Sequence, residues 1–310
     1  MTVDPPPAGQ GIVAPDPAAN DLAAPDLSVS DLAALRAEID RLDDAMHDLV
    51  MQRAAVVERL SQSRAKGAGP AVRPGREAKI LRRLLARHRG SFPRGALVQV
   101  WRALINGHTA MQGPFAIAVF NTAPGSGYVA LTREHFGATT PARSLTTPAQ
   151  VLAAISSGEA ALGVLPMPAS EGEAGTWWTA LLARDVPRVH IVGRLPFWPP
   201  RAEGGPRVEA LVVGVMPPEP TGADRTLLAC ETNAELSRTK LNAALDAAGL
   251  KPAAMLLRRG IADVAALLIE VEGFCDDADP RLAAFASKAG TTRPVVAGAY
   301  AVPLDESGQA

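Results

Sequence analysis

Leu32, Leu35, Ile39, Leu42, Met46, Leu49, Val56 and Leu60 step along the chain by alternating threes and fours, with one interruption. Such a heptad seam, sustained for about four heptads, is the signature of a long helix packed lengthwise on a partner. The interruption is Arg53, which stands where the alternation demands an apolar residue. An arginine on a buried seam is costly unless an anion meets it. It either snorkels, pairs with an internal carboxylate, or faces a bound anion; the position alone does not choose.

The seam is bracketed by contrasting sequence. Residues 1–29 are rich in Pro, Ala, Gly and Asp and read as a disordered tail, with Ser30 or Asp31 available to cap the helix. Lys66-Gly67-Ala68-Gly69-Pro70 ends it. A shorter helix is expected from about Arg76 to Arg89, and Pro93 opens a third whose stripe is Leu97, Trp101, Leu104 and Ile105. Gly113-Pro114 closes this all-α segment, residues 30–114.

From Phe115 the texture changes to short apolar runs alternating with helical stretches. Strands are expected at 115–120, 161–165, 189–192 and 210–215, with helices up to His135 and over 148–157. Residues 115–225 therefore read as an α/β lobe. Residues 226–304 repeat the theme in the order βαββαβ, which is ferredoxin-like.

Composition removes several function classes. A formal charge of -1 over 310 residues gives no global field for nucleic acid or an anionic membrane. Two cysteines, Cys230 and Cys275, far apart and without motif spacing, fit neither a disulfide framework nor a Cys-rich metal site. No signal peptide or membrane span is evident, so a cytoplasmic protein is expected, with no metal, cofactor, nucleic acid or membrane partner. The arginines from Arg82 to Arg89 read as a solvated helix face, and Gly125-Ser126-Gly127 as a tight turn.

Several polar residues remain on faces that should be inside. Arg64 follows Arg53 by about three turns, within roughly 20° of the same helix face. His108 and Gln112 extend the stripe of Leu104 and Ile105, and Glu77 supplies one acid near the start of the short helix. Polar groups on the inner faces of different helices suggest a ligand pocket within a bundle.

The order and spacing of Leu35-Arg36-Ala37-Glu38-Ile39-Asp40-Arg41-Leu42-Asp43, Arg53, Arg64, Arg76-Glu77 and Gln112 resemble the all-helical chorismate mutases, over residues 31–113. The resemblance implies an isomerase of aromatic amino-acid biosynthesis that rearranges chorismate to prephenate without a cofactor. It implies a homodimer through the long helix, in which Arg36 is lent to the partner's site and Arg53 acts in cis, both holding substrate carboxylates. Arg64 and Gln112 match the residues that contact the ether oxygen, and Glu77 the one that binds the substrate hydroxyl. The chain departs from the pattern at Arg64 (a lysine in the family), Arg73 (an acid) and His108 (a serine). His108 is either a donor to a carboxylate or a satisfied core histidine.

The remainder resembles the second part of bifunctional mutase–prephenate dehydratases. Gly125-Ser126-Gly127-Tyr128 and Gly158–Pro166 look like a dehydratase first lobe, and Asn233–Tyr300 looks like a degenerate regulatory ACT domain. The dehydratase triplet falls on Val208-Glu209-Ala210, and the chain passes from Pro199 almost directly to the strand at Ala210. No second lobe and no dehydratase chemistry are therefore expected. A small-molecule effector for the C-terminal half is left open.

Overall fold

The computed structural model describes residues 28–64, 71–113, 115–123, 125–183, 186–199, 204–260 and 263–305. The tail to residue 27, the helix-ending Lys66–Pro70 and Pro114 lie outside them. The chain divides into two compact units, Met1–Arg53 and Ala54–Ala310.

Helix α1 runs unbroken over Val29–Arg64, 36 residues. Its cap is Ser28, one turn earlier than Asp31. The Asp31 amide donates to the Ser28 hydroxyl at 3.2 Å and the Ser28 amide donates back to the Asp31 carboxylate at 3.0 Å, a reciprocal capping box. The whole apolar seam is in solvent in the single chain, from Leu32 at 40% to Leu49 at 63% exposed.

In Ala54–Ala310 the helices α2 (Pro74–Arg87) and α3 (Arg94–Ala110) precede the sheet. Pro74 opens α2, where a missing N–H costs nothing. Ala78, Leu81 and Leu85 form its buried stripe and meet Val98, Phe197, Ala301 and Leu304 in one apolar cluster. Each large side chain so buried contributes roughly 1.5–3 kcal/mol. The buried face of α3 differs from expectation: Leu97, Trp101 and Leu104 are only partly covered, while Val98, Arg102, Ile105, Asn106, His108 and Thr109 are buried.

Among the described residues nine strands form one sheet: β1 (Ile117–Phe120), β2 (Ala142–Leu145), β3 (Leu162–Pro166), β4 (His190–Leu195), β5 (Ala210–Gly214), β6 (Asp224–Asn233), β7 (Pro252–Arg259), β8 (Val264–Glu272) and β9 (Val295–Ala301). Their order is β2-β1-β3-β5-β4-β9-β6-β8-β7. The first three are parallel and joined by α4 (Tyr128–Phe136) and α5 (Pro148–Ser156). Glycines with φ of 85° and 84° at Gly125 and Gly127 make the turn into α4, as the sequence led us to expect. Strand β2 and the short 3-10 helix Trp177–Leu182 were not foreseen. Trp177 and Trp178 sit in the core, each indole N–H donating to a carbonyl, Pro166 at 3.0 Å and Ala169 at 2.9 Å.

With α6 (Arg238–Ala247) and α7 (Pro280–Ala289), the last four strands follow the expected βαββαβ order and lie as β9-β6-β8-β7, all antiparallel. They do not stand apart from the α/β half. Strand β4 pairs with β9 at Ile191 and Gly298, and one core cluster draws on Trp178, Leu211 and Val213 as well as Leu227, Leu268 and Tyr300. Strands β4 and β5 are antiparallel neighbours linked by residues 196–209, which leaves no length for an intervening lobe.

Gly298 makes this junction possible. A Cβ there would lie 2.1 Å from the Ile191 carbonyl oxygen and 2.4 Å from its nitrogen. Gly298→Ala is expected to cost more than about 3 kcal/mol, because two backbones must separate. Urea unfolding of both proteins checks this; unchanged midpoints would show that the halves do not depend on that contact.

Candidate active site on the helical segment

The first turn of α2 carries Glu77, and the middle of α3 carries Arg102. The Arg102 guanidinium donates to the Glu77 carboxylate at 3.1 Å, with only 9% and 12% of the two side chains exposed. The Phe197 ring covers Arg102 at 5.2 Å from its centroid, a cation–π contact. Asn106, one turn further along α3, donates to the His135 carbonyl at 3.1 Å and ties α3 to α4. Glu77, Arg102, His135, Phe136 and Phe197 line a cavity of about 30 Å³, room for no more than about two waters.

The electrostatics of this cluster are set by burial. Desolvation raises the Glu77 pKa against the opposing pull of Arg102, and brings Arg102 down to about 10 against the pull of Glu77. Both groups move toward neutrality, so taking them out of water costs more than their attraction returns. Burial, then the Arg102 charge, push His135 well below its usual 6.5.

His108 lies in the last turn of α3, and Gln112 lies two residues beyond the end of that helix. At about 100° per residue, Arg102 sits roughly 120° from His108 around the axis. His108 is buried; its Nδ1 is bonded to the Leu104 carbonyl, and its Nε2 has no hydrogen-bond partner among the described residues. Gln112 donates to the His108 carbonyl at 2.9 Å. With Thr109, Phe115, Ile155, Glu159 and Met216 it lines a second cavity, of about 430 Å³.

Six site residues were expected from the sequence. Glu77 keeps company with Arg102, and Gln112 with His108, but these two groups are not brought together. Arg36 is exposed and Arg53 half-buried on α1, both in Met1–Arg53. Arg64 ends α1, and its side chain lies outside the described residues. Arg73, at a departure from the family pattern, donates to Glu219 at 3.0 and 2.6 Å.

Arg102 was missed. Its signal was available: Arg102, Asn106 and Thr109 recur at i, i+4 and i+7, which marks a polar face where an apolar one was sought. The C-terminal half carries a further cleft. Ala234–Arg238 and Leu257–Arg259 line one open cleft of about 880 Å³ with the loop from Ser170 to Thr176.

Residues 35–113 match the family described as chorismate mutase type II. The bifunctional chorismate mutase/prephenate dehydratase of Aquifex aeolicus is 31% identical over 88 residues, 27% of this chain and 24% of that protein. The one from Stutzerimonas stutzeri is 26% identical over 158 residues, 49% of this chain and 43% of that protein. Each match thus spans less than half of the relative. The prephenate dehydratase of Streptococcus mutans superposes with a TM-score of 0.43 at 15% identity, over 60% of this chain and 97% of that one. The chain carries a chorismate mutase type II domain toward its N-terminus. No helix among the described residues is long and apolar enough to cross a membrane.

Two expectations follow for the buried cluster. Arg102→Met alone should lower stability by about 3–5 kcal/mol by stranding the Glu77 charge, and Arg102→Met with Glu77→Leu should recover most of it. Urea midpoints check both, and a double variant as weak as the single would contradict the account. His135 is neutral when folded at pH values where the unfolded chain takes up a proton. Its contribution is therefore full above about pH 6.5 and is lost as pH falls toward the depressed folded value. A pH series of melts should show that slope, flattened in His135→Phe.

Proposed function

We propose that the type II domain makes this chain a chorismate mutase, which converts chorismate to prephenate by an intramolecular rearrangement. The observation that carries the reading is the family match over residues 35–113, which includes Arg36, Arg53, Arg64, Glu77, His108 and Gln112. The reaction is pericyclic: a C–O bond breaks as a C–C bond forms, and negative charge grows on the ether oxygen. It needs no nucleophile, proton transfer, metal or cofactor. Catalysis comes from holding the compact conformer and stabilising that oxygen.

In this reading Arg53 and Arg36 of the partner subunit bind the two carboxylates, since guanidinium forks suit bidentate recognition. Arg64 and Gln112 face the ether oxygen, Glu77 the hydroxyl, and His108 donates to a carboxylate. The bare seam of α1 supports the homodimer this requires, because so many exposed apolar side chains in one line call for a partner. The βαββαβ half is read as ACT-like, with the cleft at Ala234–Arg238 as the place for a small effector.

A dehydratase reading has the bifunctional relatives in its favour. The direct β4–β5 pairing weighs against it, since no second lobe is there to enclose prephenate. Full-length protein incubated with chorismate should consume it and accumulate prephenate without phenylpyruvate. Arg53→Ala should lower kcat/KM by about 10²–10³. Phenylpyruvate as the enzymatic product would establish the dehydratase reading, and absence of turnover would overturn the mutase one.

A further inference from the structure

Glu77 of α2 is already paired in the structure. Its carboxylate is bonded to Arg102 and lines a cavity of about 30 Å³, too small for an organic ligand, whereas Gln112 lines a different cavity. The same helix is fastened to the C-terminal half at three further places. Arg82 donates to the Thr221 hydroxyl at 2.8 Å, to the Ala223 carbonyl at 3.0 Å and to the Val302 carbonyl at 2.8 Å. Arg73 holds Glu219, and Gly75 packs so closely that its missing Cβ would sit 3.2 Å from the Glu219 Cβ. Ala223 immediately precedes β6 and Val302 immediately follows β9, so α2 is bonded to the two ends at which the βαββαβ half begins and closes.

We propose that this docking is an autoinhibitory contact: α2 seated on the β6 and β9 ends withholds Glu77 from the mutase site, and turnover requires α2 to let go. The inference rests on the reading of Glu77 as the group that binds the substrate hydroxyl. In the seated state one carboxylate has one partner, and Arg102 has it. When α2 unseats, Glu77 regains the freedom to reach the Gln112 side, and Arg102 regains water. Unseating lets water reach both members together, so neither charge is left buried alone. What keeps α2 down is the apolar stripe of Ala78, Leu81 and Leu85 together with the Arg82 bonds. Any ligand or contact that shifts the β6 or β9 ends therefore acts on mutase turnover through α2, over a path made of named hydrogen bonds.

The test is a reversible lock. Gly75→Cys with Glu219→Cys places two thiols at a Cβ separation a few tenths of an ångström short of the usual disulfide value, which a small adjustment restores. The native Cys230 and Cys275 are buried and do not compete. Chorismate turnover by the full-length double variant is measured oxidised and after reduction. The oxidised form is expected to be at least about tenfold slower than its own reduced form. Arg82→Ala, which removes three bonds from the docked state, should raise kcat by up to about tenfold over the natural chain. Equal rates in the oxidised and reduced lock overturn the gate and leave the mutase reading standing. No turnover from the natural chain, the reduced lock or Arg82→Ala overturns both. Should Arg82→Ala fail to fold, the lock decides alone.

Discussion

Glu77 and Arg102 meet at 3.1 Å inside the Ala54–Ala310 unit, and this buried contact joins α2 to α3. A buried pair of this kind is a poor source of net stability. Each ion gives up a hydration shell worth several kcal/mol, and the attraction returns about as much only when geometry is good. Its real effect is on specificity of docking. With Glu77 on α2 and Arg102 on α3, any rotation of either helix that separates them strands two charges out of water. The pair therefore selects one way for the helical hairpin to sit on Phe197 and the end of β9, while the apolar stripe of α2 supplies the energy.

That docking changes what counts as a domain here. A mutase module would be expected to bury the inner faces of its helices among themselves. In this chain α2 shares its buried face between Val98 of α3 and Phe197, Ala301 and Leu304, the last two from the far end of the sequence. The sheet behaves likewise, with β4 and β9 drawing the α/β strands and the βαββαβ strands into one surface through a glycine where a methyl group would collide. Cutting the chain after residue 114 would expose Ala78, Leu81, Leu85 and the Glu77 carboxylate together. Activity of the helical segment is best sought in the full-length protein.

Much of this order was legible in the sequence where a periodic pattern met a local stop signal. The seam of α1, the short helix α2, the Pro-opened α3, and the strands and helices expected from Phe115 onward fall within a few residues of expectation. Strand β2 was not legible, because Ala142-Arg143-Ser144-Leu145 is an edge strand with three exposed residues and has no buried face to betray it. The continuous sheet was not legible either, since register between β4 and β9 is a long-range contact with no local trace. On the site, the residue types were readable but not their direction. Glu77 stands out as the lone acid of its turn, yet only the fold reveals that Arg102 reaches it from α3. The stripe on α3 was read one position off, from Leu97 and Trp101, because apolar residues were sought where the helix buries polar ones.

The seam of α1 then acquires a second meaning. A helix of 36 residues extends for about 54 Å, and an exposed helix of ordinary composition gains little from propensity alone. Under the proposed reading, two copies laid along Leu32 to Leu60 cover the apolar row and carry Arg36 into the neighbouring site with the same motion. Stability of the helix and completeness of the site then become one equilibrium, linked to chain concentration. Under that reading, the contact that covers the hydrophobic seam is also the one that supplies the carboxylate-binding arginine. A chain that fails to pair lacks both, while its Glu77 stays where the C-terminal half has put it.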